Sequence, residues 1–158
     1  MPVGRTTLLQ AALYVAVASL LALAFLDRAG WYFALAERAM VDATLNNVRS
    51  ALFARLAQDR LQGNLTRERF WDGGNAFELG RMDVKNFAGT VEGPEKLAAL
   101  PDGTWAYDSR NGELVYVAGY PRGLRIEGGG RVLRFRLRIP SGGGVPVIEP
   151  VRAYQWDP

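Results

Sequence analysis

From Leu8 to Leu26 the chain carries no formal charge, and only Gln10, Tyr14 and Ser19 interrupt a run of Leu, Ala, Val and Phe. No other feature restricts the fold as strongly. A helix over that run is about 28 Å long, close to the roughly 30 Å hydrocarbon core of a bilayer. A secretory signal peptide has a shorter apolar core that ends at a small-x-small cleavage site. Here the run passes Asp27 and Arg28 into Gly30, Trp31, Tyr32 and Phe33, and aromatic residues at that level suit the membrane–water interface. The expectation is an uncleaved single-pass anchor, with a cleaved signal peptide as the alternative. The N-terminal amine and Arg5 favour a cytoplasmic N-terminus, partly opposed by Arg28. The tail over residues 1–7 is too short to hold a domain, so the functional bulk is expected beyond the span. In a bacterial inner membrane that bulk faces the periplasm.

The helical pattern does not stop at the membrane. Val41, Leu45, Val48, Leu52 and Leu56 recur at three- and four-residue spacing, while Asp42, Asn46, Arg49, Asp59 and Arg60 fall mostly off that stripe. No proline occurs between Pro2 and Pro94, and the first strong stop is Gly63-Asn64. The span and the amphipathic segment over residues 27–62 therefore read as one helix from about Thr6 to Gln62, with Gly30 as a flex point. The stripe is too short for a sustained heptad array, so it is expected to pack on the rest of its own domain.

Residues 63–102 read as a glycine-broken connector folded against that helix, with a short helical turn near Glu95–Leu100. From Gly103 the period becomes two. Residues 104–107 and 113–117 flank the turn-rich Asp108-Ser109-Arg110-Asn111-Gly112, a hairpin loop. Leu133, Phe135, Leu137 and Ile139 alternate with Arg134, Arg136 and Arg138, and residues 145–156 offer one more strand. The predicted fold class is α+β: a long N-terminal helix, half in the membrane and half amphipathic, packed on a small antiparallel sheet of about four strands over residues 103–158. Residues 27–158 form one globular domain in this reading.

Composition removes most chemistry. The chain has no cysteine and no histidine, which excludes disulfides, thiol catalysis, thiolate or imidazole metal sites and the usual neutral-pH general base. Gly128-Gly129-Gly130 and Gly142-Gly143-Gly144 lack the Lys-Ser/Thr and helix of a phosphate loop, and no acidic run has calcium-loop spacing. Neither an enzyme nor a cofactor site is expected.

Three features together resemble the type IV pilin and type II secretion pseudopilin superfamily. The first is the start: Gly4-Arg5 followed by Thr6-Thr7-Leu8-Leu9-Gln10 is similar to a degenerate prepilin processing motif, a basic leader ending in Gly before Phe-Thr-Leu-x-Glu. The second is the half-embedded, half-amphipathic helix that opens a small domain. The third is Asn86-Phe87-Ala88-Gly89, then Gly103-Thr104-Trp105-Ala106-Tyr107-Asp108 and Gly112-Glu113-Leu114-Val115-Tyr116, which resembles a run in minor pilin-like proteins, including those of mannose-sensitive haemagglutinin pilus operons. The departures carry information too. Arg5 stands where the leader peptidase expects Gly, and a shift that puts Gly4 at the cut leaves Gln10 one place late. Gln10 replaces the family's glutamate and cannot neutralise a new N-terminal amine, so the resemblance implies a filament cap or an uncleaved membrane protein rather than a repeating subunit.

What the resemblance implies is a membrane-anchored structural component that acts through contacts with other pilin-like or assembly-platform membrane proteins. In the membrane, Gln10, Ala12, Ala16 and Ser19 are the candidate helix-contact positions. Arg134, Arg136 and Arg138, with Arg125 and Arg152, are a candidate basic face; the plainer reading pairs them with Glu127 and Glu149 on adjacent strands. Aromatics do not alternate with those arginines, so nucleic-acid binding is not expected. Trp105, Tyr107 and Tyr116 could line a sugar platform, although such hairpin aromatics ordinarily pack in a core. The alternative function, from another class, is a single-pass periplasmic ligand-binding or sensor domain.

Overall fold

The computed structural model describes residues 5–63, 71–140 and 144–157, with side chains from Leu8 onward. Gly4 and Asn64 lie outside the described residues. Helix α1 runs from Arg5 to Leu61 without a break, passing through Gly30. Its length is about 85 Å at the standard rise. Two hydroxyls inside it are satisfied locally, Ser19 donating to the Val15 carbonyl at 2.8 Å and Thr44 to that of Met40 at 2.9 Å. The stop comes at Gly63, whose φ of 74° lets its N–H turn back to the Arg60 carbonyl.

A one-turn helix α2 (Ala76–Leu79) follows, capped by the Asn75 carboxamide oxygen, and then strand β1 (Phe87–Val91) and helix α3 (Pro94–Ala98). The remaining strands are β2 (Thr104–Asp108), β3 (Glu113–Val117), β4 (Leu124–Ile126), β5 (Val132–Arg138), β6 (Val147–Pro150) and β7 (Tyr154–Trp156). Five of them form a sheet in the order β1-β2-β3-β5-β6, while β4 and β7 pair separately. The fold is α+β: one long helix packed with a small, mostly antiparallel sheet.

Four details differ from the sequence expectation. Asp59, read as off the apolar stripe, falls on it at helical spacing from Leu52 and Leu56, is buried, and lies 3.7 Å from Arg55. Strand β4 forms in a stretch not read as a strand. The sheet gains β1, inside the presumed connector, and β1 runs parallel to β2. Its five residues contain Gly89 at φ 89°, where the register shifts, so the segment never shows a clean alternation. Its pairing also depends on the crossover through α3, which local pattern cannot reveal. The segment over 145–156 divides into two strands serving different sheets, because the chain bends at Val151-Arg152.

The core lies between α1 and the five-stranded sheet. Val41, Leu45, Val48, Leu52 and Leu56 are all buried, each contributing about 1.5–3 kcal/mol of gross burial energy. Opposite them Trp105 is the centre of an aromatic cluster, its ring centroid 4.8 Å from Tyr116, 5.5 Å from Phe77 and 5.9 Å from Phe135. Trp156 from β7 is buried in the same core.

Candidate functional site

The surface most available for interaction is α1 itself. Every residue from Leu8 to Leu26 is exposed, and none of the other described residues covers the apolar segment. The described helix is long and apolar enough to cross a membrane. Among the candidate contact positions, Ala12, Ala16 and Ser19 share one side, while Gln10 lies about half a turn round the helix from Ala12 and Ser19. The three small positions make one line, and Gln10 stands apart from it. The side chains of Arg5, Thr6 and Thr7 are not among those described, although the three residues belong to α1 or its start. Leu8 and Leu9 are exposed.

In the second half of α1 the two sides of the helix diverge. One side carries the buried stripe. On the other, Ala36, Ala39, Ala43, Asn47, Ser50, Ala54 and Ala57 recur at helical spacing, all exposed and none charged. At about 100° per residue this line is roughly opposite the line through Val41, Leu45 and Leu52.

The head is tied to α1 just above the apolar segment. Glu37 continues the buried stripe one turn below Val41 and is only 8% exposed. Its carboxylate accepts three hydrogen bonds, each 2.7 Å long, from the Tyr116 hydroxyl and the backbone N–H groups of Gly119 and Tyr120. Three good donors offset the desolvation of a buried carboxylate. Burial first, then the bond and charge of Glu37, push the Tyr116 hydroxyl far above its ordinary value, which keeps it a donor. Lower still, Arg122 Nη1 meets the Asp27 carbonyl at 2.9 Å and its carboxylate at 2.8 Å. The Trp156 indole N–H donates to the Arg122 carbonyl at 3.2 Å and Tyr120 stacks on Phe33 at 5.0 Å, so the 119–123 loop is held on several sides.

At the far end of the sheet the arginine row is neutralised. Arg134 contacts Asp108 at 3.4 Å and Glu113 at 3.0 Å, and Arg136 reaches the other Glu113 oxygen at 3.0 Å and the Asn111 carbonyl at 2.8 Å. Glu149 stands opposite Arg136 in the strand register, yet the carboxylates that pair are the hairpin's own Asp108 and Glu113. Arg138 is exposed at the end of β5. Arg125 pairs in register with Gln155 in the small sheet, away from this row. Asp108 also accepts from the Arg110 N–H at 3.1 Å and the Asn111 amide at 2.7 Å, the chemistry of a tight turn.

No family model, curated protein or solved structure matches this chain. The reading of function therefore rests on the chain's own sequence and geometry. Trp105 and Tyr116 are fully buried and Leu114 nearly so, which leaves no aromatic platform for a sugar on this hairpin. Tyr107 is half-buried and donates to the Gly73 carbonyl at 2.7 Å, tying the hairpin to the preceding loop. Burial is the main cause of its raised hydroxyl pKa, followed by Glu78 and Asp108. Among the described residues no cluster of carboxylates is placed to hold a metal ion. Glu37 and Arg122 escaped the sequence reading, although Glu37 had a legible mark: it is a charge lying on the apolar stripe, four residues before Val41.

Proposed function

We propose that this chain is a membrane-anchored, pilin-like accessory component of a pilus-assembly or type II secretion apparatus, working through protein–protein contacts and not as an enzyme. The observation that carries the reading is the outward side of α1: small, uncharged residues from Ala36 to Ala57, opposite the side that holds the head. Small side chains let a neighbouring helix approach closely, and charged ones would hold it off. The helix runs unbroken from that line into the exposed apolar segment, so one neighbour could be met along both halves. The degenerate start, with Arg5 and Gln10 at the motif positions, fits a capping or uncleaved member better than a repeating subunit. In this proposal the membrane is a bacterial inner membrane, the N-terminus is cytoplasmic and the head is periplasmic or at a filament tip.

The test uses the absence of native cysteine. Single substitutions Ala43→Cys and Ala54→Cys, made in the native membrane, should crosslink to the N-terminal helix of a pilin-like protein. Glu92→Cys, exposed just beyond β1 at the hairpin end of the sheet, should not. Equal capture from all three positions, or capture of signalling proteins only, would overturn the proposal. Mass spectrometry of the extracted chain separates the start sites: an N-terminus at Thr6 means cleavage after Arg5, one at Arg5 means the alternative register.

A groove of about 560 Å³ between Phe33, Met40, Glu37 and Tyr120 is the one feature that favours the second reading, a single-pass ligand-binding or sensor domain. It is an open surface groove with two carboxylates, Glu37, which already holds three donors, and Asp102, which pairs with Arg131 at 2.7 Å. That leaves little to orient a ligand.

A further inference from the structure

The lower edge of the head reaches the level at which the apolar segment ends. Leu26 is the last residue of that segment, and Arg122 contacts both the carbonyl and the carboxylate of Asp27, the next residue. Headgroups extend roughly 5–7 Å beyond the hydrocarbon, a depth covering about four or five residues of helix rise. With Leu26 at the hydrocarbon boundary, that layer takes in Asp27, Arg28 and Trp31 from α1, and Arg122 from the head. Tyr120, stacked on Phe33, stands at its outer edge.

We infer that the Gly119–Gly123 loop is a preformed foot that seats the head on an anionic phospholipid surface, with Arg122 and Arg28 taking the headgroup phosphates. The inference rests on α1 crossing a membrane and does not depend on the pilin-like reading. Three observations support it. The first is chemical. Both Arg122 contacts use Nη1, and a guanidinium has five N–H donors, so three donors remain for a phosphate. The local charge, Arg28 and Arg122 against Asp27, is net positive. The second is composition: Tyr120, Pro121 and Arg122 are exposed, as are Tyr32 and Phe33, while Arg28 lies 5.9 Å from the Trp31 ring centroid. Aromatic rings beside arginines are the residues that reside stably at an interface. The third is rigidity. Glu37 fixes Gly119 and Tyr120, Trp156 holds the Arg122 carbonyl, and the Asp157 N–H reaches the Gly123 carbonyl at 3.1 Å. A loop already ordered loses little conformational freedom when it meets the surface.

The experiment places the whole chain in vesicles of phosphatidylcholine with or without phosphatidylglycerol. An environment-sensitive fluorophore is attached at Pro121→Cys, with Tyr120→Cys as a second probe and Glu92→Cys, remote from the foot, as the reference. The foot label should be quenched by headgroup-level spin-labelled lipid and shielded from aqueous iodide, and Glu92→Cys should behave the opposite way. Phosphatidylglycerol should strengthen the contrast. Arg122→Gln should lower the ratio of lipid to iodide quenching about fivefold, the factor one arginine contributes near an anionic surface. Asp27→Ala removes the carboxylate partner, keeps the Arg122 charge and should preserve the phosphatidylglycerol response. If Arg122 is only a strut to Asp27, the two variants will behave alike, and the headgroup role is overturned. Equal iodide access at the foot and at Glu92→Cys overturns the seating altogether. A chain that does not float with the vesicles overturns the membrane reading, and the inference with it.

Discussion

Replacing Glu37 by alanine removes one acceptor from three donors at once, and the structure gives each a different weight. The Tyr116 hydroxyl is fully buried and its stranding costs about 2 kcal/mol. The Gly119 and Tyr120 N–H groups are part-buried and regain water, for about 0.5–1 kcal/mol each. The sum is about 3–4 kcal/mol. For a domain of this size each kcal/mol moves the midpoint by about 3 °C, so Tm should fall by about 10 °C. The measurement is thermal unfolding of the whole chain in detergent followed by near-ultraviolet circular dichroism, which reports the packed aromatics of the head and not the helix in the micelle. Tyr116→Phe removes one donor only and should cost about 1–2 kcal/mol. In that background Glu37→Ala should cost less than in the parent chain, by about 1.5–2 kcal/mol, because the buried hydroxyl is gone. A Tm shift below about 3 °C for Glu37→Ala, or simple additivity of the two substitutions, would falsify the description of Glu37 as the clamp between α1 and the head.

Gly112 has a φ of 67°, and a Cβ there would lie 2.8 Å from the Gly73 carbonyl oxygen, so Gly112→Ala should destabilise by about 2–3 kcal/mol. Gly103→Ala has a similar φ but open space, and in the same urea titration it should lose only about 1 kcal/mol. Arg136→Ser leaves the nearly buried Glu113 with Arg134 alone and should cost about 1 kcal/mol. Arg138→Ser should stay within about 0.5 kcal/mol by the same measurement. Burial is the leading cause of the raised hydroxyl pKa of Tyr107, Tyr116 and Tyr154. Their stability contribution is therefore complete below the unfolded-chain value near 10 and lost as pH rises past it. Urea midpoints taken about one unit below and one unit above pH 10 should fall, and Tyr116→Phe should flatten part of the decline.

Much of the architecture was legible because it is written locally. The spacing of Val41, Leu45, Val48, Leu52 and Leu56 gave the buried side of α1, and each of those residues is buried. The alternation from Leu133 to Arg138 gave β5, with its apolar side in the core. The parts that escaped are those decided by distant partners. Strand β1 contains a bulge and a glycine, and it exists because β2 is there to pair with it. Arg136 reads as a solvated residue on the outer side of a strand, and its removal reads as silent. Its worth comes from Glu113, 23 positions earlier, which needs a cation because it is nearly buried. Glu37 owes its burial to two backbone amides more than 80 residues further along the chain. A periodicity can show which side of a helix is covered, but not which loop will arrive to satisfy a charge on it.

The placement of Trp156 in the core fixes the order in which the molecule can be finished. The apolar stripe of α1 is complete once Leu56 has been made, but the residue that closes the core above it comes about 100 residues later. At about 5–20 residues per second of synthesis, the stripe waits uncovered for roughly 5–20 s. The membrane-length segment precedes every strand in the chain, so a membrane could take it up before any sheet exists. If the proposed span is in a membrane by then, Val41 to Leu56 form an amphipathic helix tethered beside a bilayer, where an apolar stripe can shelter at the interface. Final folding of the head then requires that helix to leave the surface and receive the sheet. In the proposed membrane-anchored state the span would give the nascent chain a holding position as well as an address, and shortening the chain before Tyr154 should leave it there.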